Sequence, residues 1–342
     1  MTDQGLMDLL HDRNVLFITP SDVDYIRNKQ EINLLRKASK SLEVIAPRNG
    51  HAVDPTGLKR IMQINLRAIL EKTDHFDAVF VGGVPQLIVP FIRFPLRKKT
   101  LIVDFFFSLY DTFVEDRQLL SEKNPFSKIL KWLDRYTLTR ADYVIADTNE
   151  HAKHFREICG GSAEKMGVVH LEADTEIYYP REMERPPELK DKFIVFFFGA
   201  MNPLQGVDVI LDAAQLIEER RHITFMMIGP REKLNDPDQF SRLTNVKFAG
   251  RWLPQTEVAD YIAMADVCLA GHFNAAVPKA GRVIPGKAYS YLAMDKPTIL
   301  GDNPANREVF SDGSRNVQFV PMGDPRALAD CILRMAAQQI GN

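Results

Sequence analysis

The chain has 342 residues, 45% apolar and 26% charged, with a formal net charge of -2. It is long for one core and suits two domains. Its charge offers nucleic acid no basic field, and no uninterrupted apolar run is long enough to span a bilayer. Cys159, Cys268 and Cys331 are far apart with no metal-type spacing, so they are expected as small buried hydrophobes in a reducing compartment, without a disulfide. The opening MTDQGLMDLLHDRN is polar and acidic, unlike a signal peptide, and the expected location is cytoplasmic.

In chain order, Val15–Thr19 is the first compact apolar run, followed by Pro20-Ser21-Asp22 and a helical pattern through Ile26, Ile32, Leu34 and Leu35. Leu42–Ala46, Ala78–Val81, Thr100–Val103, Tyr143–Ala146 and Val168–His170 read as further strands, with helices over 57–72, 127–139 and 149–158. Short apolar runs alternating with helical segments predict a parallel sheet covered on both faces. Thr175–Lys192 breaks the pattern with three prolines and mixed charge and suits a linker. The domains are therefore expected at 1–174 and 193–342, with 175–192 between them.

The alternation then restarts. Phe193–Phe198 is a strand, Gly199–Gly206 a tight loop and Val207–Glu219 an amphipathic helix. Ile223–Ile228, Val246–Ala249, Asp266–Ala270, Thr298–Leu300 and Val317–Val320 continue the strands. The expected fold is α/β, two doubly wound Rossmann-like domains facing a cleft, with ligands beyond the carboxyl ends of the strands. The stretch KAGRVIPGKAYSYLAMDKP (279–297) sets Lys279, Arg282 and Lys287 around Pro285 and Gly286, where a helix begins. Cations beside a helix N-terminus favour an anion, because the unpaired N–H groups and the helix dipole do so too. The alternative is a capped helix with a solvated basic loop.

Three segments of the second half carry a resemblance: GAMNPLQGVDVILDAAQLI (199–217), FAGRWLPQTEVADYIAMADVCL (248–269) and KAGRVIPGKAYSYLAMDKPTILGDNPANREVF (279–310). They resemble the donor loop, base-binding segment and donor-phosphate segment of nucleotide-sugar glycosyltransferases of the GT-B fold, family 4 group. Ser108–Arg117 and Ala141–Phe155 are similar to a subgroup that builds bacterial surface polysaccharides. The resemblance implies a metal-independent, retaining transfer of a sugar from a nucleotide-diphosphate donor to a glycan or lipid-linked acceptor. The nucleotide sugar is then a co-substrate, and no cofactor or metal is expected.

The same resemblance places Gly199, Asn202, Gln205, Gly229, Arg251, Trp252, Lys279 and Ser290 around the donor. The Arg and Lys that the family carries in its first donor loop correspond here to Ala200 and Gln205. Its two glutamates eight positions apart correspond to Arg282 and Ser290. Positive charge has left the first loop and gathered at Lys279, Arg282 and Lys287. Lys287 and Arg282 are thus the candidates to stabilise a leaving diphosphate. Trp252 either stacks on the base or belongs to the core, and Arg282 either grips phosphate or forms a structural ion pair.

In the first half, Asp104, Ser108, Asp111 and Asp116 cluster after one strand. Asp104 or Asp111 would deprotonate or orient the acceptor, with Ser21, Ser108 and Asp116 on the acceptor side; capping and loop solubility are the bland reading. His151 and His154 have helical metal spacing but no third ligand nearby. PQLIVPFIRFPLRKK (85–99) mixes large apolar side chains with four cations, as a peripheral contact on the inner face of a membrane does, or as a buried crossover ending in surface cations does. Two other functions fit this architecture, a degenerate non-catalytic partner subunit and a nucleotide-sugar 2-epimerase.

Overall fold

The computed structural model describes residues 3–47, 57–70, 73–159, 165–234, 242–311 and 316–340. It divides into two compact units, Met1–Leu171 and Glu172–Asn342. The first contains β1 (Asn14–Ile18), β2 (Ser41–Ile45), β3 (Ala78–Val81), β4 (Thr100–Asp104), β5 (Tyr143–Ala146) and β6 (Met166–Val168), in the order β2-β1-β3-β4-β5-β6 and all parallel. Successive strand residues point to opposite faces, and each face buries its own set. Leu16, Ile18, Val79, Val81 and Val103 pack under α3 (Gly57–Leu70), α4 (Val89–Ile92), α5 (Pro125–Arg140) and α6 (Asn149–Cys159). Val15, Phe17, Phe80, Ile102 and Ile145 pack under α1 (Asp3–Leu10) and α2 (Ile26–Ala38).

The second unit repeats the plan with β7 (Phe193–Phe198), β8 (Ile223–Ile228), β9 (Val246–Gly250), β10 (Val267–Gly271), β11 (Thr298–Asp302) and β12 (Val317–Pro321). Its order is β12-β11-β10-β7-β8-β9, again parallel. Phe193, Val195 and Phe197 of β7 face the core of α7 (Val207–Leu216) and α11 (Pro325–Ile340). Ile194 and Phe196 face the core of α8 (Gln255–Met264) and α9 (Gly286–Ala293), with α10 (Pro304–Val309) beside it. Such double-sided burial is why this strand reads FIVFFF rather than as an alternation.

Three expectations shift. The sixth strand is Met166–Val168, not Val168–His170, because Val169 N–H makes the last rung, on Ala146 O, and His170 turns its Nδ1 to Asp147 O at 2.9 Å. The helix expected to 219 ends at Leu216, where Ile217 leaves helical geometry (φ -118°, ψ 19°). Of the helix expected over 57–72, the last two positions lie outside the described residues. The proline-rich stretch 175–192 is packed on the second unit, since Tyr178 and Leu189 sit in its core. Arg181 and Arg185 pin it to Asp260 and Asp266, each at 2.6 Å.

Phe196 is fully buried on the central strand, among Phe198, Tyr261 and Tyr291. Phe196→Ala should lower unfolding free energy by about 3–5 kcal/mol, read as a shift in the urea midpoint.

Candidate functional site

Within the second unit the chain runs β7, β8, β9 to one side and then crosses over to start β10 against the other side of β7. The strand order reverses at β7 and β10, and the crevice beyond their carboxyl ends is where open α/β sheets bind ligands. The loops that leave these two strands lean on each other: Phe273 N–H donates to Gln205 O at 3.2 Å. Gly206 holds φ 65°, and a Cβ there would lie 2.6 Å from Asn274 N, so only glycine fits. Gly229, after β8, crosses Gly199 so closely that a Cβ would lie 2.1 Å from Gly199 O.

Lys287 enters this crevice from the first turn of α9, whose N-cap is Pro285. A methyl group built on Gly199 meets Gln205 Oε1 at 2.7 Å and Lys287 Nζ at 3.0 Å, so amide, ammonium and backbone converge on one point. Lys287 is buried, and its Nζ has no hydrogen-bond partner among the described residues; Gln205 Oε1 likewise has none. Its nearest aromatic neighbour is the Phe197 ring, 4.1 Å from Nζ to centroid. Burial drives the ammonium down to about 7.

Lys279 lies buried on the short turn Pro278–Gly281, and the half-buried Arg282 follows it; both have partners within the protein. That turn is fixed from above by Asn303, whose Nδ2 donates to Ala280 O at 3.2 Å while its Oδ1 caps α10 by accepting from Asn306 N–H at 2.8 Å. Arg251 is exposed at the end of β9, paired with Glu232 at 2.8 Å. Trp252 is 60% exposed, which settles its alternative: the ring is not core. Asn202 starts the Pro203–Gln205 turn as its N-cap.

Residues 192–338 match the sequence profile described as glycosyl transferases group 1. The C-terminal unit is a group 1 glycosyltransferase domain. Along 297 residues the chain is 27% identical to a probable glycosyltransferase, WbjE, of Pseudomonas aeruginosa, covering 81% of this chain and 70% of that protein. A D-inositol 3-phosphate glycosyltransferase of Catenulispora acidiphila is 26% identical over 37% of this chain and 35% of its own. Among solved structures, Anabaena HepE in complex with UDP and glucose superposes with TM-score 0.63 at 15% identity, over 96% of this chain and 91% of that one. Sucrose-phosphate synthase of Thermosynechococcus elongatus gives TM-score 0.68 at 13% identity, over 95% and 90%. The fold is GT-B, and the chain is a glycosyltransferase.

Ser290 of the glycosyltransferase, expected beside the donor, is buried, and its hydroxyl hydrogen-bonds Tyr178, whose own OH donates to Gln255 Oε1. Its place on α9 therefore anchors the proline-rich stretch to the unit. In the first unit all four expected polar residues after β4 are buried. Asp104 holds Arg27 through Nη2 at 2.8 Å and Nε at 3.3 Å, so any role as a base needs that pair to open. Asp111 lies 3.2 Å from His154 Nε2 on α6, and Asp116 has partners of its own. Ser108 Oγ donates to Asp134 at 2.8 Å, and Ser21 N–H donates to Thr19 Oγ1 at 3.2 Å. His151 is bound to Asp147 at 2.6 Å, and among the described residues no cluster of metal-ligand type occurs.

Sequence reading passed over Asp134 and Glu31. Asp134 accepts from Gln86 Nε2 and from the N–H groups of Leu109 and Tyr110, and so shapes the wide turn Asp111–Asp116; its only signal is the one carboxylate of the otherwise basic helix α5. Glu31 sits 3.3 Å from Arg27, near enough for ion pairing but misaligned for a hydrogen bond. Burial first, then the charge of Asp104, push its carboxyl well above the usual range.

Asp104→Ala leaves Arg27 buried without its partner and should cost about 3–5 kcal/mol by chemical denaturation. Glu31 has a raised folded-state pKa, so its contribution is complete below about pH 4.3, the unfolded value, and is lost as pH rises through the folded one. Glu31→Gln should therefore gain stability relative to the parent chain as pH rises, in a denaturation series from pH 4 to 8.

Proposed function

We propose that this glycosyltransferase is of the family 4 type and moves a sugar from a nucleotide-diphosphate donor to a glycan or lipid-linked acceptor, with retention and without metal, in surface polysaccharide synthesis. The observation that carries the donor assignment is Lys287, a buried cation whose charge nothing else among the described residues matches, at the strand-order reversal. A diphosphate supplies two features that point lacks, a negative charge for the ammonium and acceptor oxygens for the α9 N-terminus. HepE was solved with UDP and glucose, which makes uridine diphosphate the first nucleotide to test.

In the reaction the bond from anomeric carbon to phosphate oxygen breaks, and the acceptor oxygen forms the new bond on the same face. The acceptor proton passes to the departing phosphate. Negative charge grows on the diphosphate, where protonated Lys287 is held in place before the reaction begins; a preorganised donor of this kind contributes roughly 3 kcal/mol. Arg282 and Lys279 stand on the adjoining turn to hold phosphate oxygens further out, and exposed Trp252 offers a face to the base. Ala200, where the family carries Arg, leaves this work to the α9 side of the site. A lipid-linked acceptor brings the enzyme, cytoplasmic in this reading, to the inner face of the membrane, with residues 85–99 as the contact.

Lys287→Ala should cut turnover about a hundredfold or more with little change in acceptor KM, whereas a chelator should leave turnover intact. The depressed pKa also fixes a pH dependence. Free Lys287 is largely neutral above about 7 and must take up a proton when the diphosphate binds. Nucleotide affinity should thus fall as pH rises from 7 to 9, with proton uptake visible as a buffer-dependent calorimetric heat. Lys287→Met should abolish that dependence, and it should stabilise the unliganded protein more at pH 6 than at pH 10.

A further inference from the structure

Three neighbouring helices of the first unit cover one face of its sheet, with α4 lying between α3 and α5. Each buries one side in that core and leaves large apolar side chains on the other. On α3 these are Leu66 and Leu70, after α4 Phe94, and on α5 Phe126, Ile129 and Trp132. Phe94 is 76% exposed and Trp132 is 56% exposed, values far from those of a soluble helix face with isolated apolar residues.

The charge on the same elements is one-sided. Helix α3, residues 85–99 and α5 together carry eleven Lys and Arg and a single carboxylate, Asp134, which is buried and hydrogen-bonded inside the unit. Lys128, Lys131, Arg135 and Arg140 of α5 are all exposed, and the Arg97 guanidinium lies 5.1 Å over the Phe94 ring. The whole chain nevertheless has a net charge of -2. Among the described residues, no helix is long and apolar enough to cross a membrane.

We infer that the outer surface of α3, α4 with residues 93–99, and α5 is a docking face for an anionic lipid bilayer. The inference rests on the membrane contact proposed for residues 85–99 and widens it to three helices. Large apolar groups rimmed by cations match a layer whose headgroups are negative and whose interior is apolar, and Trp suits the boundary between them. A second copy of the chain is a poor occupant, because it would set exposed cations such as Lys128, Lys131, Arg135 and Arg140 against their own kind. The bilayer offers the opposite sign.

The test is co-sedimentation of the full chain with vesicles of phosphatidylcholine alone or mixed with phosphatidylglycerol, at low and high salt. Trp132 emission is followed in a Trp252→Phe background, since the chain has two tryptophans. Expected are binding to the anionic vesicles alone, reversal by salt, and a blue shift of Trp132. Leu66→Ser with Leu70→Ser, Phe94→Ser, and Phe126→Ser with Ile129→Ser should each weaken binding by about tenfold while circular dichroism and turnover on a soluble acceptor are kept.

If only Phe94→Ser matters and Trp132 emission stays put, the three-helix face is refuted and the contact at 85–99 stands. No vesicle binding at all refutes both, and equal binding to uncharged vesicles refutes the charge argument. A vesicle-free dimer broken by the same serine variants would show that another copy covers the face, overturning the assignment. Nucleotide affinity, measured on the same variants, reports separately on the donor site.

Discussion

A primary ammonium buried in a protein interior costs free energy unless an opposite charge sits beside it. Lys287 is held in that condition at the carboxyl edge of the second sheet, and much of the local architecture follows from it. Its nitrogen lies close against Gly199, and the Phe197 ring gives it partial electrostatic cover. Loops after β7, β8 and β10 interlock around this point through Gly206 and Gly229, where any Cβ would strike backbone.

The first unit treats buried charge in the opposite way. Arg27 is satisfied by Asp104 and by Val169 O at 2.7 Å, with Glu31 at its side, its carboxyl raised by burial. For Asp147, burial would raise the carboxyl, yet His151 and Arg27 outweigh it and hold it below the usual range. Closed networks of this kind specify how strands and helices sit, and they give up little to a ligand. The two sheets share a plan but differ in how their buried cations are matched: Arg27 has its carboxylate and Lys287 has none among the described residues.

The alternation of apolar runs with helical segments was legible because the inner strands bury both faces and the helices one. Those are local patterns, and they located twelve parallel strands to within a few residues. The buried lysine of α9 was legible as a candidate as well, since a proline, a glycine and a lysine at a helix start are neighbours in sequence. Partners remote along the chain were hidden. Nothing in the order of residues says that Arg27 reaches Asp104, that Asp134 collects the turn around Ser108, or that Ser290 faces Tyr178. How the proline-rich stretch packs was hidden for a related reason: its composition suits a linker and does not show that Tyr178 and Leu189 give it apolar anchors. Exposure of Trp252 was equally invisible, because one aromatic residue after a strand has no periodicity to betray its side.

The uneven sharing of charge along the chain has its own effect on how the molecule behaves in solution. With basic groups concentrated on α3, residues 85–99 and α5, the remaining sequence must hold an acidic excess larger than the net value of -2. Bulk pI, near 6.5, therefore describes no actual part of the surface. A cation-exchange resin meets the basic helices before it averages the whole, so the protein should be retained at a pH where its isoelectric point predicts flow-through. Dilute buffers would exaggerate that adhesion and physiological salt would mute it, as the screening length contracts.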